Sequence, residues 1–179
     1  MISVLFICRA NICRSATAHA VFARLVAEAG YSDKIQVDSA GTNSPYPGRV
    51  PDKRAQKVAT GKGYDLSQRN AQQLTDALAA DSDYLVVMDD RNYRDATELM
   101  SEADQSKMRL LLSFADFEDQ QLYDPFFSGD TGGMGFIPEP VDRGERAFKV
   151  VLEKIEVSCR ALLREIENRD LVATTGAHE

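Results

Sequence analysis

The stretch Cys8-Arg9-Ala10-Asn11-Ile12-Cys13-Arg14-Ser15 sets an arginine and then a serine after a cysteine, with five residues between the cysteine and the arginine. A loop of that length can curl so that successive backbone N–H groups point inward as an anion-binding nest, and a helix starting near Arg14 adds the positive end of its dipole. Arg14 can grip two phosphoryl oxygens in a planar fork, and the grip strengthens as charge spreads in a transition state. Cys8 then sits beneath the phosphorus. The N–H groups, the helix dipole and a hydroxyl donor such as Ser15 should lower its pKa and make a thiolate nucleophile. The loop does not follow G-x-x-x-x-G-K-[ST], so nothing in it implies a bound nucleotide.

A leaving oxygen needs a proton, and Asp124 in Tyr123-Asp124-Pro125-Phe126-Phe127 is the candidate acid. Pro125 restricts the chain on either side of their shared bond. The same carboxyl group could protonate the leaving oxygen and then activate the water that hydrolyses a thiophosphate intermediate. Each reading has a plainer one beside it. Cys8 could be a small buried hydrophobe, Asp124 an ordinary turn aspartate, and Arg9 a solvated rim charge rather than a selectivity device. Tyr46, Phe126 and Phe127 fit either a core or a pocket wall. His19 reads as an inert residue on the exposed edge of the first helix, and Cys159 as core packing. Cys8, Cys13 and His19 lack a fourth ligand at metal-like spacing, so neither metal nor organic cofactor is expected.

These residues need a frame. Residues 3–7 (SVLFI) form a short β-rich apolar run, and after the loop Val21, Phe22, Leu25, Val26 and Ala29 share one helical face that Gly30 closes. Further strands are expected at 35–38, 84–88 and 108–112. Helices are expected from Asp52 to about Gly61, from about Arg91, and over 143–168. In the last, Ala147, Val150, Val151, Ile155, Cys159 and Leu162 or Leu163 should face inward. Strands alternating with helices predict an α/β fold in three layers, a central four-stranded parallel sheet with helices on both faces. Such a sheet places its ligands beyond the carboxyl ends of its strands, where the Cys8 loop lies.

The 179 residues, 44% hydrophobic and 27% charged, suit one domain with its own core, read as 1–172 followed by a frayed tail over 173–179. Acidic residues outnumber basic ones 28 to 21, which argues against nucleic acid or an anionic membrane as the main partner. A phosphate site in such a chain must make its own positive field. The apolar start is too short for an export signal, and three cysteines without a disulfide pattern suit the reducing cytoplasm.

With these residues in view, the sequence resembles the low-molecular-weight protein tyrosine phosphatases over nearly its whole length. The resemblance rests on the Cys8–Ser15 loop, Val37-Asp38-Ser39-Ala40-Gly41-Thr42, the Met88-Asp89 pair, Asp124-Pro125 and the long final helix. It implies that Cys8 is the nucleophile, Arg14 the phosphate binder and Asp124 the general acid. It also implies that Arg9, Ala10, Asn11, Ile12, Cys13 and Ser15 form the phosphate loop, that Ser39 supports Asn11, and that Cys13 can pair reversibly with Cys8 under oxidation. Tyr46, Phe126 and Phe127 become the substrate wall, phosphotyrosine in proteins the substrate and inorganic phosphate the product.

The sequence departs from that pattern at several points. Ala10 stands where the family usually has glycine, which would cost roughly 1–2 kcal/mol if the position requires positive φ. Arg9 replaces an uncharged residue, Ala16 a proline and Gln72 an arginine, and Arg69 stands near the usual histidine. The segment 128–140 is longer and glycine-rich, and could shape the entrance or a contact surface. Two other functions stay open at this point: arsenate reduction on the same scaffold, and a weakly active phosphate-binding regulatory module.

Overall fold

Four short apolar runs pair side by side, all parallel: β1 (Ile2–Cys8), β2 (Ile35–Gly41), β3 (Tyr84–Val87) and β4 (Met108–Leu110), in the spatial order β2-β1-β3-β4. The computed structural model describes residues 1–44, 47–125 and 145–171. β1 is central and almost wholly buried because both of its faces are covered, which is why it reads as a continuous apolar run. Alternation splits its side chains: Val4, Phe6 and Cys8 belong to one core cluster, Leu5 and Ile7 to another on the opposite face.

Helix α1 (Arg14–Glu28) and the long α6 (Glu145–Ile166) cover the Cys8 face together with α2 (Lys53–Thr60). Phe22 of α1 meets Phe6 edge-on at 5.5 Å between ring centroids, and burying two such rings contributes roughly 1.5–3 kcal/mol each. The opposite face is covered by α3 (Asp76–Ala80), α4 (Asp90–Thr97) and the residues flanking them, through Leu74, Ala79, Ala96 and Met100, and the short α5 (Glu102–Gln105) leads on to β4. The three-layer α/β architecture is the expected one. Among the described residues no helix is long and apolar enough to cross a membrane.

Several local expectations are corrected. Ala29 lies one residue past α1 and is exposed, because the chain turns at Gly30, whose φ is +77°. In α6 it is Phe148 and Leu152, not Val150, that reach the core, and Val150 is exposed. β4 ends at Leu110, where the chain tightens into a 3₁₀ turn over Leu111–Phe114. The start of the last helix at residue 143 lies outside the described residues. Asp52 caps α2 as expected, accepting from the Arg54 backbone N–H at 2.9 Å.

Candidate active site

Cys8 is the last residue of β1 and pairs with Gly41, the last residue of β2, so the loop after Cys8 lies beside the chain leaving β2. Two backbone bonds hold them together, Thr42 N–H to Cys8 O and Asn43 N–H to Arg9 O, each 2.8 Å. The approach is close enough that a Cβ on Gly41 would sit 2.7 Å from the Arg9 carbonyl oxygen. Only glycine fits there without moving the loop.

The positive φ in this loop falls on Asn11, at +56°, and not on Ala10. Ala10 therefore carries no left-handed strain, and the cost anticipated for replacing glycine is not incurred. Asparagine tolerates the left-handed region, and its side chain secures the turn. Asn11 Nδ2 donates to Ser15 Oγ at 2.8 Å and Ser39 Oγ at 2.9 Å, while its Oδ1 accepts the Gln72 backbone N–H at 3.0 Å. Ser15 Oγ lies 3.0 Å from Cys8 Sγ and 3.4 Å from the Ala40 carbonyl. With Asn11 already donating to that oxygen, the serine proton is left to be given to the nearer sulfur.

Arg14 opens α1 and is 2% exposed. Its Nη1 donates to the carboxylate of Asp89 and, at 2.9 Å, to the Leu122 carbonyl, and its Nη2 donates to Asp124 Oδ2 at 2.7 Å. Its Nε is buried with no hydrogen-bond partner among the described residues. Burial disfavours the charge on Arg14, but Asp124, Cys8 and Asp89 outweigh it and hold the guanidinium protonated. Asp89 follows β3 and caps α4 through Asn92 N–H at 2.7 Å, and Leu122 N–H is tied to Met88 O at 2.8 Å. The end of β3 thus delivers both the anchor of Arg14 and the segment bearing Asp124.

Cys8, Ile12, Cys13, Arg14 and Asp124 all line one cleft of about 520 Å³. The pKa of the Cys13 thiol is pushed up by burial, and the nearby Cys8 adds to that, so Cys13 stays protonated. A thiol, an arginine fork, a carboxyl group and a hydroxyl donor on the sulfur are assembled for attack on a phosphate ester.

A family model described as low molecular weight phosphotyrosine protein phosphatase matches residues 3–172. The chain belongs to this family. It is 32% identical to the low molecular weight protein-tyrosine-phosphatase YfkJ of Bacillus subtilis, over 93% of this chain and 97% of that one. The identity is also 32% to the low molecular weight phosphotyrosine protein phosphatase of Homo sapiens, over 91% of this chain and 94% of the relative. The crystal structure of YfkJ superposes with a TM-score of 0.81 at 29% identity, covering 95% of this chain and 97% of that chain. A protein tyrosine phosphatase from Entamoeba histolytica, crystallised with Hepes in its active site, superposes with a TM-score of 0.80 at 26% identity, covering 94% and 98% of the two chains.

Within this phosphatase fold the structure brings together Cys8, Asn11, Ser15 and Ser39 as one hydrogen-bonded group, and Arg14 with Asp124 as another. Tyr46, Phe126 and Phe127, and the segment 128–140, lie outside the described residues. Three participants escape a reading of the sequence as chemistry. Asp89 appears only as part of a family motif, although its position between a strand and a helix marks it as a cap. Gln72, a departure from the family pattern, takes part in the bracing: its Nε2 donates to Ser39 O at 3.0 Å and its carbonyl accepts Gly41 N–H at 2.9 Å.

The third is His19, which is 2% exposed and not on the exposed edge of α1. Its Nδ1 lies 3.4 Å from Ser39 Oγ. Burial, followed by the charge of Arg69, lowers its pKa from 6.5 to about 4, with Asp38 opposing. A neutral imidazole can then accept the Ser39 proton and extend the network behind the loop. Because the folded-state value is below the unfolded one, the unfolded chain takes up this proton first as pH falls. Stability owed to neutral His19 is complete above pH 6.5 and drains away as pH falls towards 4. The total amounts to roughly 3 kcal/mol. Chemical denaturation at a series of pH values should show a shallower loss over that window in a His19→Gln variant than in the wild type. Parallel curves would contradict a buried neutral His19.

Proposed function

We propose that the chain hydrolyses phosphotyrosine in proteins, and aryl phosphate monoesters generally, through a cysteinyl-phosphate intermediate. The observation that carries this reading is the convergence of Cys8, Arg14 and Asp124 on one cleft, with the Arg14 fork already joined to the Asp124 carboxylate. In the first half-reaction the Cys8 thiolate attacks phosphorus and the P–O bond to the aryl group breaks. Protonated Asp124 gives its proton to the leaving oxygen. The loop N–H groups and Arg14, including the buried Nε, stabilise the charge spread over the equatorial oxygens. In the second half-reaction a water attacks phosphorus, the Asp124 carboxylate takes its proton, the P–S bond breaks, and phosphate leaves with Cys8 restored as thiolate.

Arsenate reduction would require a further thiol to carry the disulfide away from Cys8. Cys159 is fully buried in the core, with its Sγ against the Ala18 carbonyl at 3.9 Å, so the scaffold favours hydrolysis. A reducing compartment such as the cytoplasm suits a nucleophile that must remain a thiol.

Acid quenching during turnover of an aryl phosphate, with reductant and chelator present, followed by peptide mass analysis should find one phosphoryl group on Cys8. Full turnover with no phosphorylated Cys8 peptide at any quench time would overturn the covalent mechanism.

A further inference from the structure

Arg14 is not the only arginine facing the cleft. Arg9, from the loop after β1, and Arg49, from the segment between β2 and α2, line it as well. Arg14 is fully enclosed, whereas Arg9 is half-buried and Arg49 exposed, which places the latter two towards the mouth. Both stand on backbone that is held in place. The Arg9 carbonyl accepts Asn43 N–H at 2.8 Å, and the Arg49 carbonyl accepts Ala71 N–H at 2.8 Å, with Gly48 N–H bonded to Ala71 O at 2.7 Å. Two carboxylates, Asp52 and Asp124, also line the cleft. Asp52 is ion-paired to Arg54 at 3.0 Å and Asp124 to Arg14 at 2.7 Å. A chain with a formal charge of -7 thus places three arginines around one opening.

We propose that Arg9 and Arg49 form a second anion-recognition element at the mouth of the cleft, which selects phosphotyrosine flanked by acidic residues. This rests on the phosphatase reading and adds a substrate class to it. A small aryl phosphate is held by the loop and Arg14 alone, but a peptide carrying phosphotyrosine must cross the mouth, where its neighbouring side chains meet the two guanidinium groups. A guanidinium pairs with a carboxylate through two parallel hydrogen bonds, and two rigidly based arginines on different segments can engage residues on either side of the phosphotyrosine. Exposed pairs of this kind are individually modest, so the two together correspond to a preference of about tenfold. They also raise the encounter rate of acidic segments in a salt-dependent way.

The test compares phosphotyrosine peptides that differ only in having Glu, Gln or Lys on both sides of the phosphotyrosine. For each enzyme form, kcat/KM is measured on the three peptides and on a simple aryl phosphate. The wild type should prefer the Glu peptide over the Gln peptide by about tenfold and disfavour the Lys peptide. Arg49→Gln should reduce the ratio, the double variant Arg9→Gln/Arg49→Gln should bring it close to one, and added salt should compress it in the wild type. The ratio within one enzyme preparation does not depend on how much of it is folded. Binding of the same peptides to a Cys8→Ser form is measured in parallel, where the Glu peptide should again bind about tenfold more tightly.

A wild type that turns over aryl phosphate with a Glu-to-Gln ratio near one overturns the inference and leaves the phosphatase reading standing. So does a ratio that survives intact in the double variant. Absence of turnover with a retained binding preference overturns the catalytic reading and leaves the recognition element standing.

Discussion

Replacing Cys8 by serine is expected to lower kcat on a simple aryl phosphate by on the order of 10⁵-fold while leaving phosphate binding within a few-fold of the wild type. The two halves of this expectation have different physical origins. Turnover depends on an ionised sulfur, and a serine hydroxyl in the same place does not ionise near neutral pH, so the nucleophile is lost and only charge stabilisation by the loop remains. Binding depends on the loop N–H groups and Arg14, none of which the exchange removes. The smaller oxygen still faces Ser15 Oγ, the group that stands 3.0 Å from the sulfur. Steady-state turnover and calorimetric titration with inorganic phosphate measure the two quantities on the same preparation. More than a few per cent residual turnover would show that Cys8 is not the nucleophile.

The second large effect is at Asp124. Asp124→Ala should lower kcat by about 10²–10⁴-fold for a substrate whose leaving group is strongly basic, such as a tyrosine phenolate, and by distinctly less for one that departs readily as an anion. The dependence on the leaving group carries the information, because Asp124 also holds Arg14 Nη2 at 2.7 Å. An acid that donates a proton in the transition state matters most when the leaving oxygen needs that proton. A residue that only orients Arg14 matters equally for every leaving group. A Brønsted plot of kcat against leaving-group pKa should therefore steepen in Asp124→Ala and Asp124→Asn alike. A uniform fall with unchanged slope would assign Asp124 to the positioning of Arg14, not to proton transfer.

The resting contacts set Asp124 directly against Arg14. In the free protein Arg14 is shared between Asp89, Asp124 and the Leu122 carbonyl. On the proposed mechanism a phosphoryl group entering the cleft would compete for the Nη2 donor and leave Asp89 and the Leu122 carbonyl to keep the guanidinium aligned. Asp89 is well suited to that duty because it is itself immobilised as the cap of α4.

How much of this was legible in the sequence follows from the range of each interaction. The Cys8 loop lies within eight consecutive residues and ends in an apolar strand on one side and a helix on the other, so its place in the fold could be read from spacing. The short helices α3 and α5 were not anticipated. Yet both begin with a readable cap, Thr75 accepting from Leu78 N–H at 3.2 Å and Ser101 accepting from Asp104 N–H at 3.2 Å. Their few residues leave no periodic apolar pattern to notice. A polar residue on an amphipathic helix such as His19 reads as solvent-facing, and the packing of α1 beside β2 is what encloses it against Ser39.

What the sequence by itself determined is local: a cysteine, an arginine and a serine set into one loop between a strand and a helix, and strands whose buried runs demand cover on both faces. What only the tertiary structure decided is which distant groups join that loop. The partners of Arg14 stand 75 and 110 positions along the chain. The side of the loop that Gln72 braces, and the two arginines at the mouth, likewise depend on where separate strands end. The reason is physical: backbone propensity and side-chain alternation act over a few residues, whereas the meeting of Asp89, Asp124, Gln72 and Arg49 at one end of the sheet is fixed by the order β2-β1-β3-β4.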